Sequence, residues 1–251
     1  MTILLTVAYD GTNYAGWQRQ NNAIAVQQLL EEALSSFFKK EIKTTASSRT
    51  DAGVHALGQR VAFDVDDLII PQDKVEKLAT ILNTFLPDDI VIQAVKIVES
   101  GFNPRFCAKS KTYCYQIYND CNPNPLLNRY SAFEARDLDV QKMSQAALHF
   151  VGTHNFSAFC AAGSSAKTTV RTIFACEVKQ ENNMIRMTVT GDGFLYNMVR
   201  IIAGTILYVG LGKLHPSDIP AIIASGNRSC AGKTMPPEGL TLVEVIYDNK
   251  I

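Results

Sequence analysis

The sequence predicts an α+β chain of two similar halves, each an antiparallel sheet with helices on one face, together sharing one continuous central sheet. Two observations predict the halves: a strand–helix–strand–helix–strand order is met twice, and that order suits sheets covered by helices on one side. A third predicts the shared sheet: no Pro/Gly/Ser-rich linker separates the halves, which divide as 1–105 and 106–251.

Residues 3–9, Ile-Leu-Leu-Thr-Val-Ala-Tyr, are rich in strand formers and stop at the turn Asp10-Gly11-Thr12-Asn13. Residues 14–20 follow neither a helical nor a strand period and contain the single tryptophan, Trp17. Val26, Leu29, Leu30, Ala33, Leu34 and Phe37 recur at helical spacing, which predicts an amphipathic helix over 25–38. Gln59 to Val65 alternates as a strand, with Val61, Phe63 and Val65 on one face. A second helix over 72–85 ends at Leu86-Pro87-Asp88-Asp89, before a strand over 90–97. In the second half, Thr112 to Tyr118 reads as a strand, followed by a turn-rich stretch with Asn122, Pro123, Asn124 and Pro125. A helix follows over 139–151, with Val140, Met143, Ala147 and Phe150 inward. Strands come near 170–179 and 184–190, then an apolar helix from about 195 to 209 with Arg200 in its middle. That helix is too short to span a bilayer, so no membrane association is expected.

Composition narrows the function. Lys and Arg number 24 and Asp and Glu number 24, so a nucleic-acid partner requires basic residues sorted onto one face. The six cysteines, Cys107, Cys114, Cys121, Cys160, Cys176 and Cys230, form no C-x-x-C pair and have no histidine at zinc spacing. With no signal peptide, they read as reduced thiols of a cytoplasmic protein. The four histidines are not clustered, so no metal site is expected.

The stretch Ser48-Arg49-Thr50-Asp51-Ala52-Gly53-Val54-His55 lies between two strand-like segments and cannot pack a core. It brings a carboxylate, a guanidinium and an imidazole onto one loop, the usual place for a site. An ordinary turn is the plainer reading, with Gly53 supplying a positive φ and His55 a structural hydrogen bond. Arg200 is the second signal. A guanidinium in Phe194-Leu195-Tyr196-Asn197-Met198-Val199-Arg200-Ile201-Ile202-Ala203-Gly204 needs a carboxylate partner, and Gly204 one turn on lets another backbone approach. Tyr113 and Tyr115 in Lys111-Thr112-Tyr113-Cys114-Tyr115 share one face of a strand, so spacing alone does not separate them.

Arg49-Thr50-Asp51-Ala52-Gly53-Val54-His55-Ala56 resembles the active-site motif of the tRNA pseudouridine synthase A family. The Lys111–Tyr115 stretch resembles that family's second motif, and Phe194–Arg200 its third. Tyr9–Gly11, Gly16–Gln20, Asn83–Ile90, Phe102–Phe106, Gly152–Phe156 and Gly239–Leu242 also look like family blocks, so the resemblance covers almost the whole chain. It implies a cytoplasmic, cofactor-free isomerase that turns uridine into pseudouridine at positions 38, 39 and 40 of the tRNA anticodon stem-loop. It further implies an RNA-binding cleft and a homodimer whose cleft both chains complete. Carried over residue by residue, Asp51 is the catalytic carboxylate, Arg200 its cationic partner, and Tyr113 faces the target base. Tyr115 is then a core aromatic. Arg49, Arg19, Arg105, Lys109 and Lys111 flank these motifs as candidate phosphate contacts. Ser48 departs from the family, where bacterial members often carry glycine.

The chemistry suits these residue types. The N1–C1′ bond breaks, the uracil rotates, and C5 joins C1′, without redox change. An ionised carboxylate acts at C1′ or at the 2′ hydrogen, a cation keeps it ionised, and a flat wall holds the freed base. Two other readings compete. Two sheet-and-helix halves with exposed aromatics fit a non-catalytic RNA-binding module. Asp64-Val65-Asp66 looks like the Asp-x-Asp of haloacid-dehalogenase-type phosphohydrolases, although Asp67-Leu68 stands where those have Gly-Thr.

Overall fold

The computed structural model describes residues 1–65 and 72–248. The chain divides into two compact units, one of residues 1–109 with the segment from Leu242 onward, the other of residues 110–241.

The first unit begins with β1 (Thr2–Tyr9), α1 (Val26–Phe38), β2 (Thr45–Ala46), β3 (His55–Asp64), α2 (Gln72–Asn83) and β4 (Ile90–Val98). β1 runs between β3 and β4, antiparallel to both, so that Ile3 faces Phe63 on one side and Ile97 on the other. Ile3, Leu5 and Val7 are fully buried, as are Leu30 and Leu34 of α1 and Leu82 of α2. These are the positions that the helical and strand periods direct inward. α2 packs on β4 and touches α1.

The second unit holds β5 (Ser110–Asn119), β6 (Ala132–Glu134), α3 (Val140–Leu148), β7 (Gly152–Asn155), β8 (Val170–Glu181), β9 (Met184–Gly191), α4 (Met198–Gly210) and α5 (Ile219–Ser225). Its strands lie in the order β5-β9-β8-β7, antiparallel throughout, with the short β6 parallel to β5. α3 lies against both β8 and α4. The last strand, β10 (Leu240–Ile246), runs into the first unit and pairs with β3. Among the described residues no helix is long and apolar enough to cross a membrane, and all six cysteines are unpaired thiols.

The apolar helix needs one correction. It begins at Met198, not near Leu195, because Asn197 takes a left-handed φ of 59° that ends the preceding turn. Arg200 therefore stands in the first turn and not in the middle, and is half-buried. Every other residue of α4 except Tyr208 is buried, as the apolar composition requires. The close backbone approach expected at Gly204 is present: a Cβ there would lie 1.9 Å from the Lys233 carbonyl oxygen.

Gly204→Ala must push the Lys233 segment away or tilt α4. It should destabilise the protein by about 1–3 kcal/mol, lowering Tm by roughly 2–12 °C for a chain of this size. Calorimetry checks this; an unchanged Tm would mean that the helix and the Lys233 segment are not locked together.

Candidate active site

In the first unit the Asp51 loop connects β2 to β3 and has no strand of its own to pair with. Its backbone is satisfied by the irregular segment at residues 14–17. Trp17 N–H donates to the Thr50 carbonyl (3.0 Å), and Gly53 N–H donates to the Tyr14 carbonyl (3.3 Å). The two segments lie so close that a side chain on Gly16 would sit 2.6 Å from the Thr50 oxygen, and Gly16 itself has φ +87°. Only glycine meets both demands. Gly53, at φ 78°, turns the loop back so that Val54 N–H reaches the Asp51 carbonyl (3.1 Å).

Three side chains complete the clamp. The Thr50 hydroxyl lies 2.7 Å from the Tyr9 hydroxyl. His55 is buried, its Nδ1 accepting from Gly11 N–H at 3.0 Å with an Asp10 carboxylate oxygen at 3.1 Å, the structural part expected of it. Gln59, with no exposed surface, uses its amide as a strand would use a peptide. Its Nε2 donates to the Ser48 carbonyl (2.8 Å), and its Oε1 accepts from Ser47 Oγ (2.7 Å) and Ser48 N–H (3.3 Å). Ser48 is absent from the positive-φ residues, so serine fits here without strain. The parts that Gln59 and Gly16 play in holding this loop were not recognised from the sequence, although Gly16 opens a family block and Gln59 a strand. An amide on a strand's inward face and a glycine beside the lone tryptophan were their only traces.

The basic candidates of this unit fare differently. Arg49 is exposed beside Asp51 in the loop. Arg19 turns toward Glu31 (3.4 Å), a buried carboxylate that also accepts from Thr44 N–H and Gln27. Lys109 pairs with Asp248 at 3.1 Å on the surface. Arg105 lies with its guanidinium 5.9 Å from the centre of the Phe106 ring. Asp64 ends β3 and accepts from Thr2 Oγ1 (2.5 Å); Asp66, Asp67 and Leu68 of the Asp-x-Asp segment lie outside the described residues. β3 pairs antiparallel with β1, unlike the parallel core strand that carries such a motif.

In the second unit, β5 places Tyr113 and Tyr115 on its buried face and gives them different neighbours. Tyr115 is fully buried and donates its hydroxyl to the Pro236 carbonyl (2.7 Å). Burial, with Glu238 nearby, pushes its phenol well above the usual range, so it stays a donor. Tyr113 meets the Phe194 ring edge-on, with centroids 5.2 Å apart. Lys111 stands two residues before it on the same strand, half-buried. Arg200 is fixed from two sides: Nε donates to the Met235 carbonyl (2.7 Å) and an Nη donates to Asn197 Oδ1 (2.8 Å). Met235 N–H in turn donates to the Arg200 carbonyl (3.2 Å). The segment at 235–236 thus holds both Arg200 and Tyr115, a role that no periodicity signals. The structure assembles Asp51, Arg49 and their clamp in one unit, and Tyr113, Lys111 and Arg200 in the other.

A family model described as tRNA pseudouridine synthase matches residues 5–106 and 146–248, so Asp51 and Arg200 fall within matched segments and Tyr113 between them. The tRNA pseudouridine synthase A of Ruminiclostridium cellulolyticum is 49% identical over 246 residues, covering 98% of this chain and 99% of its own. That of Acetivibrio thermocellus is 47% identical over 245 residues, covering 98% and 99%. That of Bacillus pumilus is 44% identical over 251 residues, covering 99% and 100%. A solved Cbf5-Nop10-Gar1 complex aligns with 98% of this chain and 50% of its own at a TM-score of 0.37 and 11% identity, too weak a likeness to bear on fold or function.

Gln59→Leu keeps the volume but strands the Ser48 peptide and the Ser47 hydroxyl, at a cost of about 1–3 kcal/mol. Amide hydrogen exchange should accelerate across residues 48–54 more than in the core of β1. Equal protection in parent and variant would remove Gln59 as the loop's anchor.

Proposed function

The chain belongs to the tRNA pseudouridine synthase family, and from that premise we propose that it isomerises uridine to pseudouridine in tRNA, with Asp51 as the catalytic group. The targets are positions 38, 39 and 40 of the anticodon stem-loop, and the working form is a cytoplasmic homodimer. The single observation that carries this reading is the Arg-Thr-Asp-Ala-Gly-Val-His loop, held rigid by backbone contacts from Trp17, Tyr14 and Gly16 within a chain that matches the family over most of its length.

In the reaction the Asp51 carboxylate acts as nucleophile at C1′ or as base at the 2′ hydrogen while the N1–C1′ bond breaks. Positive charge develops on the sugar, so the carboxylate must stay ionised in a desolvated setting. Arg200 supplies the answering cation. Its two fixed hydrogen bonds, to Asn197 and Met235, set the direction of the guanidinium before any substrate arrives. The freed uracil rotates against the Tyr113 ring, and C5 bonds to C1′ as the Asp51–C1′ bond breaks or as Asp51 returns the 2′ proton. The C5 proton then passes to the Tyr113 hydroxyl, directly or through water, as that hydroxyl gives up its own, and N1 ends protonated. No atom is gained or lost and no electron is transferred. The target uridine leaves its stack to reach the site. Arg49, Arg19, Arg105, Lys109 and Lys111 hold the phosphates.

A non-catalytic RNA-binding role finds no support in these observations. A rigid loop presenting one carboxylate has no use in a protein that only grips a polyanion.

Asp51→Ala should abolish pseudouridine formation while tRNA binding stays within a few-fold, since phosphate contacts carry affinity. Mass-spectrometric mapping of treated tRNA checks it; residual turnover above about a hundredth of the parent's would disqualify Asp51. Arg200→Leu should leave a stranded charge at a cost below the about 3–5 kcal/mol of a fully buried pair, because Arg200 is half-buried, and Asp51→Asn in the same chain should recover the stability but not the activity. Strictly additive effects in that double-mutant cycle would mean that the two groups do not interact.

The tyrosines should separate by readout. Tyr113→Phe should bind tRNA and turn over at least a hundredfold more slowly, about the lower bound for losing a general base. Tyr115→Phe should lose about 0.5–1.5 kcal/mol of stability, through its bond to the Pro236 carbonyl, and keep its activity. The reverse order of effects would exchange their roles.

A further inference from the structure

Phe106 shows 79% of its surface to solvent, more than any other aromatic ring among the described residues. It is not loose. Asn103 Oδ1 accepts from both the Arg105 and Phe106 amides (2.9 and 3.2 Å), and Cys107 N–H donates to the Asn103 carbonyl (3.0 Å). The Tyr247 hydroxyl donates to the Pro104 carbonyl (2.9 Å), while the Phe102 ring packs edge-on against Tyr247 at 5.3 Å. Five contacts thus fix a short turn whose tip is an uncovered apolar ring. A ring held outward on a rigid turn is presented to something.

The neighbouring charge indicates what. The Arg105 guanidinium lies 5.9 Å from the ring centre, and residues 101–111 contain Arg105, Lys109 and Lys111 but no acidic residue. A flat aromatic beside an arginine matches an unpaired base attached to a phosphate, since the ring takes the π-face and the guanidinium the anion. A protein partner would call for a wider apolar surround, yet Arg105 and Cys107, which flank the ring in the chain, are both exposed.

We propose that Phe106 is a stacking platform for one unpaired base of the tRNA substrate, with Arg105 closing on the adjacent phosphate. The proposal rests on the tRNA reading above and adds to it a contact that acts in binding and not in the chemistry.

Phe106→Trp makes the test direct once the parent is titrated alongside, so that any response of the native tryptophan, Trp17, which is 1% exposed, is subtracted. Titration with unmodified tRNA should quench the new indole emission. Phe106→Ala should raise KM about tenfold, the loss of one base–aromatic stack, while kcat changes far less. Phe106→Tyr should restore the parent KM and Phe106→Leu should not, because flatness and not hydrophobicity is what counts. Unquenched emission at tRNA concentrations that saturate turnover, or a parent-like KM in Phe106→Ala, would overturn the proposal. So would an emission change that follows protein concentration without RNA, which would assign the ring to a contact between copies. Pseudouridine is measured in the same samples. A parent that forms none removes the functional reading as well, whereas one that forms it beside an unquenched indole removes only this inference.

Discussion

The loop that carries Asp51 lies outside the strands, and its peptide groups must find partners elsewhere. In this protein they find them in a second irregular segment. Trp17 N–H, the Tyr14 carbonyl and the Gln59 amide take the places of neighbouring strands around residues 48–53. This exchange has steric conditions. Gly16 must lack a side chain for the segments to touch, and the same holds at Gly11, where a Cβ would lie 2.0 Å from the Val54 oxygen. Buried Trp17 beneath, 5.9 Å from the Tyr9 ring, keeps the second segment in place. The loop that carries Asp51 is therefore aimed by backbone geometry.

The second unit solves a related problem at a helix end. Arg200 occupies the first turn of α4, where the helix presents partial positive charge, an unfavourable place for a cation. Asn197 Oδ1 and the Met235 carbonyl offset that by accepting from the guanidinium. The left-handed Asn197 both starts the helix and places its own side chain for this duty. Gly204 lets residues 232–235 lie flush on α4, and Gly232 N–H donates to Thr205 Oγ1 at 2.8 Å to fasten them. Concentrated positive potential at this helix end favours the ionised form of any carboxylate that reaches it.

Much of this was legible in the residues. The long periodic elements appear within a few residues of expectation: the helix expected over 25–38 is Val26–Phe38, and the strand over 90–97 is Ile90–Val98. Periodicity failed where an element is too short to show one, as in β2, β6 and β7 at two to four residues, and in the seven-residue α5. It also failed inside a uniformly apolar run, where nothing distinguishes Leu195, before the helix, from Ile201 within it. The roles of Asn197, Met235 and Gln59 were hidden for another reason. Each works through an amide or carbonyl that meets a residue at least three and up to 35 positions away, and composition carries no trace of such pairings. Gly204 was readable because a glycine in a buried helix already implies a visitor.

The path of the chain bears on how the protein is made. The first unit takes residues 242–246 of β10 from a segment that is synthesised only after the whole of residues 110–241. On a ribosome, the nascent first unit would have β1 to β4 in hand, but β2 covers β3 only at Val61 and Ala62, and the rest of that flank stays open where Gly58 later lies against the Val243 backbone. Open flanks of that kind invite pairing with other chains. The Asp51 loop leads directly into that same strand. Vectorial synthesis thus leaves the strand that follows the Asp51 loop open along part of one flank until residues 242–246 emerge.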